Sequence, residues 1–130
     1  MKKKAGFTLS ELLIVVAIIG VLVAVSIPIF TQQLHKAEVA TDWANVRSYY
    51  AQLQYDFMET GKVNETYLNE WDGIGNNGLT SFRLNGQTVK LKTGKLWIAP
   101  EDNNVGYNFL YACNKFDGNC TLKLPEDSTK

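Results

Sequence analysis

FTLSELLIVVAIIGVLVAVSIPIF runs from Phe7 to Phe30, 24 residues with one charged side chain, Glu11. A helix rises about 1.5 Å per residue, so this stretch reaches about 36 Å against a hydrocarbon core of about 30 Å. It can span a bilayer. The residues before it, MKKKAG, form a short basic flank of the kind that stays on the cytoplasmic side. A cleaved secretory signal would instead carry an apolar core of about 7 to 15 residues followed by a small-x-small site. Here Thr31-Gln32-Gln33-Leu34-His35-Lys36 follows, so the apolar run is expected to be retained.

The rest of the chain is ordinary in composition. With 130 residues it holds one domain, and its 13 Lys+Arg balance 13 Asp+Glu. Zero net charge removes the bulk basic field of a dedicated nucleic-acid binder. Two cysteines, with one histidine distant in sequence, fall short of a structural zinc set. No phosphate-binding loop, dinucleotide fingerprint, serine elbow or metalloprotease helix is present, and Glu101-Asp102-Asn103-Asn104 lacks the spacing of a calcium loop. The reading is therefore of a non-enzyme with no catalytic residue, no cofactor and no metal. Asn64-Glu65-Thr66 and Asn119-Cys120-Thr121 match the glycosylation acceptor pattern, which is frequent by chance, and the sequence alone gives them no weight.

Beyond the apolar run, Val39, Trp43, Val46, Tyr50, Leu53 and Phe57 recur at helical spacing, with Glu38, Asp42, Asn45, Arg47, Gln52 and Gln54 between them. This predicts an amphipathic continuation with a covered aromatic stripe and a wet opposite side. Gly61 is placed just past the C-cap, which gives one long bent helix over residues 8 to 59. Gly20 and Pro28 bracket its weakest part, because proline removes an amide donor and glycine costs about 1 kcal/mol relative to alanine. A kink is expected there, with Ser26 helping to satisfy a freed carbonyl.

Residues 61 to 78 read as a connecting loop, with Gly73, Gly75, Asn76, Asn77 and Gly78 and a short helix near Glu65 to Leu68. Asn85-Gly86 between two alternating runs predicts a hairpin, since both turn residues must take positive φ. Further strands are expected at Lys95 to Ala99 and Tyr107 to Ala112. The fold class is then α+β: a long N-terminal helix packed on an antiparallel sheet of about four strands over residues 79 to 112.

Lys2-Lys3-Lys4-Ala5-Gly6 followed by Phe7-Thr8-Leu9-Ser10-Glu11-Leu12-Leu13-Ile14 resembles the class III leader and N-terminal helix of type IV pilins. The short basic leader and the Phe at the cut site look like the type IVa class. The resemblance implies a pilin fold, with residues 1–6 removed as leader, 7–30 a transmembrane and later filament-core helix, and 31–60 its amphipathic half. It implies cleavage by prepilin peptidase between Gly6 and Phe7, N-methylation of Phe7, and an assembly role for Glu11. It further implies unwinding between Gly20 and Pro28 in the filament. Ser10 departs from the apolar residue more usual at that place.

Glu11 also has a reading from its own position: Thr8-Leu9-Ser10-Glu11 fits a capping box, and a carboxylate in the first turn suits the helix dipole. Capping and neutralisation of the new Phe7 amine are compatible. For an exported chain, a Cys113–Cys120 bridge bounding residues 113–130 is expected, with two free thiols as the alternative.

The resemblance implies a structural subunit that lies in inner-membrane lipid before assembly and then polymerises with other pilin subunits into an extracellular filament. Assembly-platform and motor proteins would act on it. Adhesion, twitching motility or DNA uptake would follow. A pseudopilin of a type II secretion system and a DNA-binding competence pilin are the alternatives. Loss of the three leader lysines leaves ten Lys+Arg against 13 Asp+Glu, so DNA contact would need a local patch such as Arg83, Lys90, Lys92 and Lys95.

Overall fold

A computed structural model of the chain describes residues 6–70, 72, 77–113 and 120–126. Leader residues 1–5, Gly73, Gly75 and Asn76 of the connecting loop, residues 114–119 between the two cysteines and the end of the tail lie outside these. The chain divides into two units, Met1–Lys36 and Ala37–Lys130. The 52-residue helix α1, Leu9–Thr60, contributes to both.

In the first unit every described residue from Gly6 to Leu34 is exposed, although Leu, Ile, Val and Ala dominate the segment. Helix α1 is helical throughout Gly20 and Pro28. Pro28 lacks the amide that would bond the Ala24 carbonyl. The Ser26 hydroxyl does not take that place: its Oγ donates to the Leu22 carbonyl at 2.7 Å, and Thr31 Oγ1 donates to the Pro28 carbonyl at 2.9 Å. Both are local back-bonds of hydroxyl residues in an apolar helix. At the other end Gly61 takes φ +72° and its N–H meets the Phe57 carbonyl at 2.7 Å, an αL cap.

The second unit packs the C-terminal part of α1 on five strands. Strands β1 (Ser81–Leu84) and β2 (Gln87–Lys90) form a hairpin whose turn residues Asn85 and Gly86 have φ of 50° and 82°. Strands β3 (Gly94–Pro100), β4 (Tyr107–Cys113) and β5 (Leu122–Leu124) form an antiparallel sheet in that order. The second edge of β3 is bridged by Asn69 opposite Ile98 and Leu79 opposite Leu96. A 3₁₀ turn at Glu65–Tyr67 lies in the connection after α1, and another, Asp102–Asn104, joins β3 to β4.

Two features differ from the expected single sheet. The strands form two sheets, and β5 adds a strand beyond residue 112. At the connection between the two sheets the amides of Lys92 and Thr93 donate to the carboxylate of Asp42 on α1. Strand β5 was hard to foresee because three residues are too few for an alternation to register.

The core of this unit holds Val46, Tyr49, Leu53, Phe82, Leu96, Ile98, Tyr107, Phe109, Tyr111, Leu122 and Leu124. Tyr49 stacks on Phe82 with ring centroids 4.4 Å apart, and Tyr50 meets Phe109 edge-on at 5.1 Å. The buried line of α1 is Val39, Asp42, Val46, Tyr49 and Leu53, so the stripe is rotated from the expected one. Trp43, Tyr50 and Phe57 flank it half-buried. A wide apolar arc of helix fits two nearby alignments, and the aromatic residues took the margin because their bulk fills the edges of the contact.

Candidate functional site

The first turn of α1 is built by reciprocal bonds. Thr8 Oγ1 accepts the Glu11 N–H at 3.3 Å, and Glu11 Oε2 accepts the Thr8 N–H at 3.0 Å. This is the capping box read from the sequence, with two otherwise orphaned amides satisfied. Only one oxygen of Glu11 is engaged in it, and the other makes no hydrogen bond among the described residues. Phe7 precedes the cap in non-helical backbone and is 85% exposed. A side chain placed at Gly6 would meet nothing within 4 Å, so the Gly6–Phe7 peptide stands open to another protein.

From Leu9 to Phe30 the large apolar side chains of α1 are all exposed, which leaves a continuous surface that water does not tolerate at this size. One helix of the described residues is long and apolar enough to cross a membrane. A carboxylate at the head of such a surface is costly in hydrocarbon unless a cation meets it. The segment thus offers three things in one place: a glycine-bounded peptide bond, an acid with a spare oxygen, and a solvent-averse rod. Gly20 and Pro28 lie further along the rod, with no side-chain partner other than the local back-bonds around Pro28.

In the second unit Cys113 and Cys120 are joined in a disulfide and buried. The bridge packs with Val39 and Trp43 of α1, and Trp43 Nε1 donates to the Cys120 carbonyl at 3.4 Å. Arg47 lies over the Trp43 ring at 5.8 Å and pairs with Glu126 at 2.5 Å. The disulfide and these contacts hold the chain after β4 against the helix.

The residue the sequence missed is Asp42. It was read as part of the wet side and is 0% exposed. Its Oδ1 accepts the Lys92 N–H at 2.7 Å, and its Oδ2 accepts the Thr93 N–H at 3.0 Å and the Tyr111 hydroxyl at 2.7 Å. Burial first, and then the hydrogen bond to Asp42, push the Tyr111 phenol well above its ordinary value. The only signal in the sequence was its place in line with Val39, Val46 and Leu53.

These features define a class of protein: one with an uncovered, membrane-competent N-terminal helix and a disulfide-bridged head. Residues 1–27 match the family described as the prokaryotic N-terminal methylation motif. The chain is similar to a fimbrial protein of Neisseria meningitidis serogroup B, 34% identical over 107 residues that cover 77% of this chain and 57% of that one. It is also similar to the type IV narrow pilus major component PilA5 of Thermus thermophilus, 53% identical over 49 residues, 35% of this chain and 42% of that one. The fimbrial protein EcpB of Eikenella corrodens is 49% identical over 39 residues, 30% of this chain and 24% of that protein. The chain spans between a quarter and three-fifths of the length of these relatives. No solved structure matches it significantly.

Proposed function

We propose that the chain is a structural subunit of a type IV pilus: inserted in the inner membrane by residues 7–30, cut after Gly6 by prepilin peptidase, methylated at Phe7, and polymerised through α1 into an extracellular filament. The observation that carries this reading is the fully uncovered apolar rod headed by a half-engaged carboxylate. Lipid covers such a rod in the monomer, and other copies of the same rod cover it in a polymer. The relatives named as fimbrial and pilus components favour the pilus over a secretion pseudopilin.

Cleavage would create an α-amine with a reference pKa of about 7.7 to 8.0, cationic near neutral pH, and methylation keeps that charge. The spare oxygen of Glu11 can accept from such an amine on its own chain or on a neighbour while the other oxygen keeps the cap. In hydrocarbon two opposite charges are tolerated only together, so a growing stack favours the register that pairs them. The apolar side chains then exchange lipid for neighbouring helices through close packing. Melting between Gly20 and Pro28 would let the rod adapt to curved packing, since glycine and proline make that stretch the least costly to unwind. The assembly platform and motor ATPases would supply the work, and adhesion, twitching motility or DNA uptake would be properties of the polymer.

Glu11→Val in the producing cells tests this. The expected result is a variant that is inserted and processed but yields at least tenfold fewer sheared fibres. Normal fibre yield, or native fibres whose subunits keep residues 1–6, would overturn the proposal.

A further inference from the structure

We propose that Asn64 is an acceptor site for an N-linked saccharide, carried on the exported head of the subunit; the export is part of the function proposed above. Asn64, Glu65 and Thr66 satisfy the Asn-x-Thr pattern with a non-proline centre, and all three are exposed. The structure adds geometry that a chance match does not require. Asn64 Oδ1 accepts the Thr66 N–H at 3.0 Å, and Asn64's own N–H donates to the Tyr107 hydroxyl at 2.7 Å. The backbone of the acceptor is thereby fixed to β4. The carbonyl end of the side chain is turned toward the third residue of the pattern. Nδ2, the end at which chemistry would occur, makes no hydrogen bond among the described residues.

The surroundings suit a sugar. Asn64 does not itself line a cavity of about 350 Å³, but its sequence neighbours Val63 and Glu65 do, together with Lys62, Leu68, Pro100 and Asn104. Its charged and amide groups can meet hydroxyls, and Leu68 and Pro100 offer apolar surface to the C–H faces of a pyranose ring. In the other match, Asn119-Cys120-Thr121, Cys120 is buried in a disulfide, and Asn119 lies outside the described residues.

The transfer balances without redox change. Asn64 Nδ2 attacks the anomeric carbon of a saccharide carried on a lipid diphosphate. The new bond is C–N. The bond broken is that from the anomeric carbon to the diphosphate oxygen, which leaves with the electron pair, and Nδ2 gives one proton to a base of the transferring enzyme. The lipid-linked donor is the co-reactant and is reached at the face of the membrane where the head emerges.

The test is a tryptic digest of the chain purified from its own cells, in wild type, N64Q, T66A and T66S. The expected result is a saccharide on the Val63–Arg83 peptide of wild type and T66S, absent from N64Q and T66A. An unmodified Val63–Arg83 peptide beside a methylated Phe7–Lys36 peptide would overturn this site and leave the pilus reading standing. A saccharide that persists in N64Q would also overturn it. A chain that retains residues 1–6 and carries no saccharide would overturn both.

Discussion

Asp42 is the residue on which the head turns. Its carboxylate satisfies two backbone amides of the β2–β3 connection and the phenol of Tyr111, and it has no other way to exist at zero exposure. Removing it leaves the buried Tyr111 hydroxyl and the part-buried Lys92 and Thr93 amides without their acceptor, and a buried donor left unsatisfied costs about 1 to 3 kcal/mol. Asp42→Ala is expected to destabilise the head by roughly 2 kcal/mol or more, read as a lower urea midpoint of near-ultraviolet circular dichroism in detergent. Tyr111→Phe removes one bond and should cost about 1 kcal/mol, leaving the two amides held. Equal loss in the two variants would show that the carboxylate does not organise the turn. Gly94 serves the same corner: a Cβ there would lie 2.4 Å from the Tyr111 ring, so only glycine lets β3 pass beside it.

Among the elements, β5 depends most on attachments outside its own ladder. It has three residues paired with Phe109, Leu110 and Tyr111. Behind it stand the Cys113–Cys120 bridge and the Arg47–Glu126 pair. The ion pair is largely exposed, so solvent screening limits it to about 0 to 1 kcal/mol. A disulfide closing a loop this short is worth about 2 to 3 kcal/mol in the chain-entropy account. The bridge therefore dominates. The double variant C113S/C120S should lower stability by about 2 kcal/mol and release amide protection first in Leu122 to Leu124, whereas Glu126→Gln should change either readout little. Hydrogen exchange by residue checks both. Loss of protection spread evenly over β3 and β4 would contradict this order.

At the scale of the molecule, the head's dependence on alkaline pH follows from its buried phenols. Burial, with smaller contributions from Tyr67 and Tyr107, raises Tyr49 to about 12, and Tyr111 is raised further. An unfolded tyrosine titrates near 10. Between these values the unfolded chain has lost protons that the folded head still binds, so stability falls as pH rises. The contribution is complete below about pH 10 and is lost progressively toward pH 12 and above. Tyrosinate absorbance should accordingly show Tyr49 and Tyr111 ionising only with loss of the near-ultraviolet signal. Ionisation of all tyrosines near pH 10 in a folded head would refute the burial argument.

Much of this was legible in the sequence. The apolar rod, the Thr8–Glu11 cap, the Gly61 stop and the Asn85-Gly86 turn are each written in residues close along the chain, where composition, helical spacing and the steric demand for positive φ decide the outcome locally. Long-range pairing is not written that way. Asp42 meets partners 50, 51 and 69 positions away, and an acid among polar neighbours looks like any solvated acid until those partners arrive. The division into two sheets, the rotated helix face and the short last strand likewise rest on contacts between distant parts of the chain. They and the burial of Asp42 were decided by the tertiary structure, because only the assembled head brings such partners together.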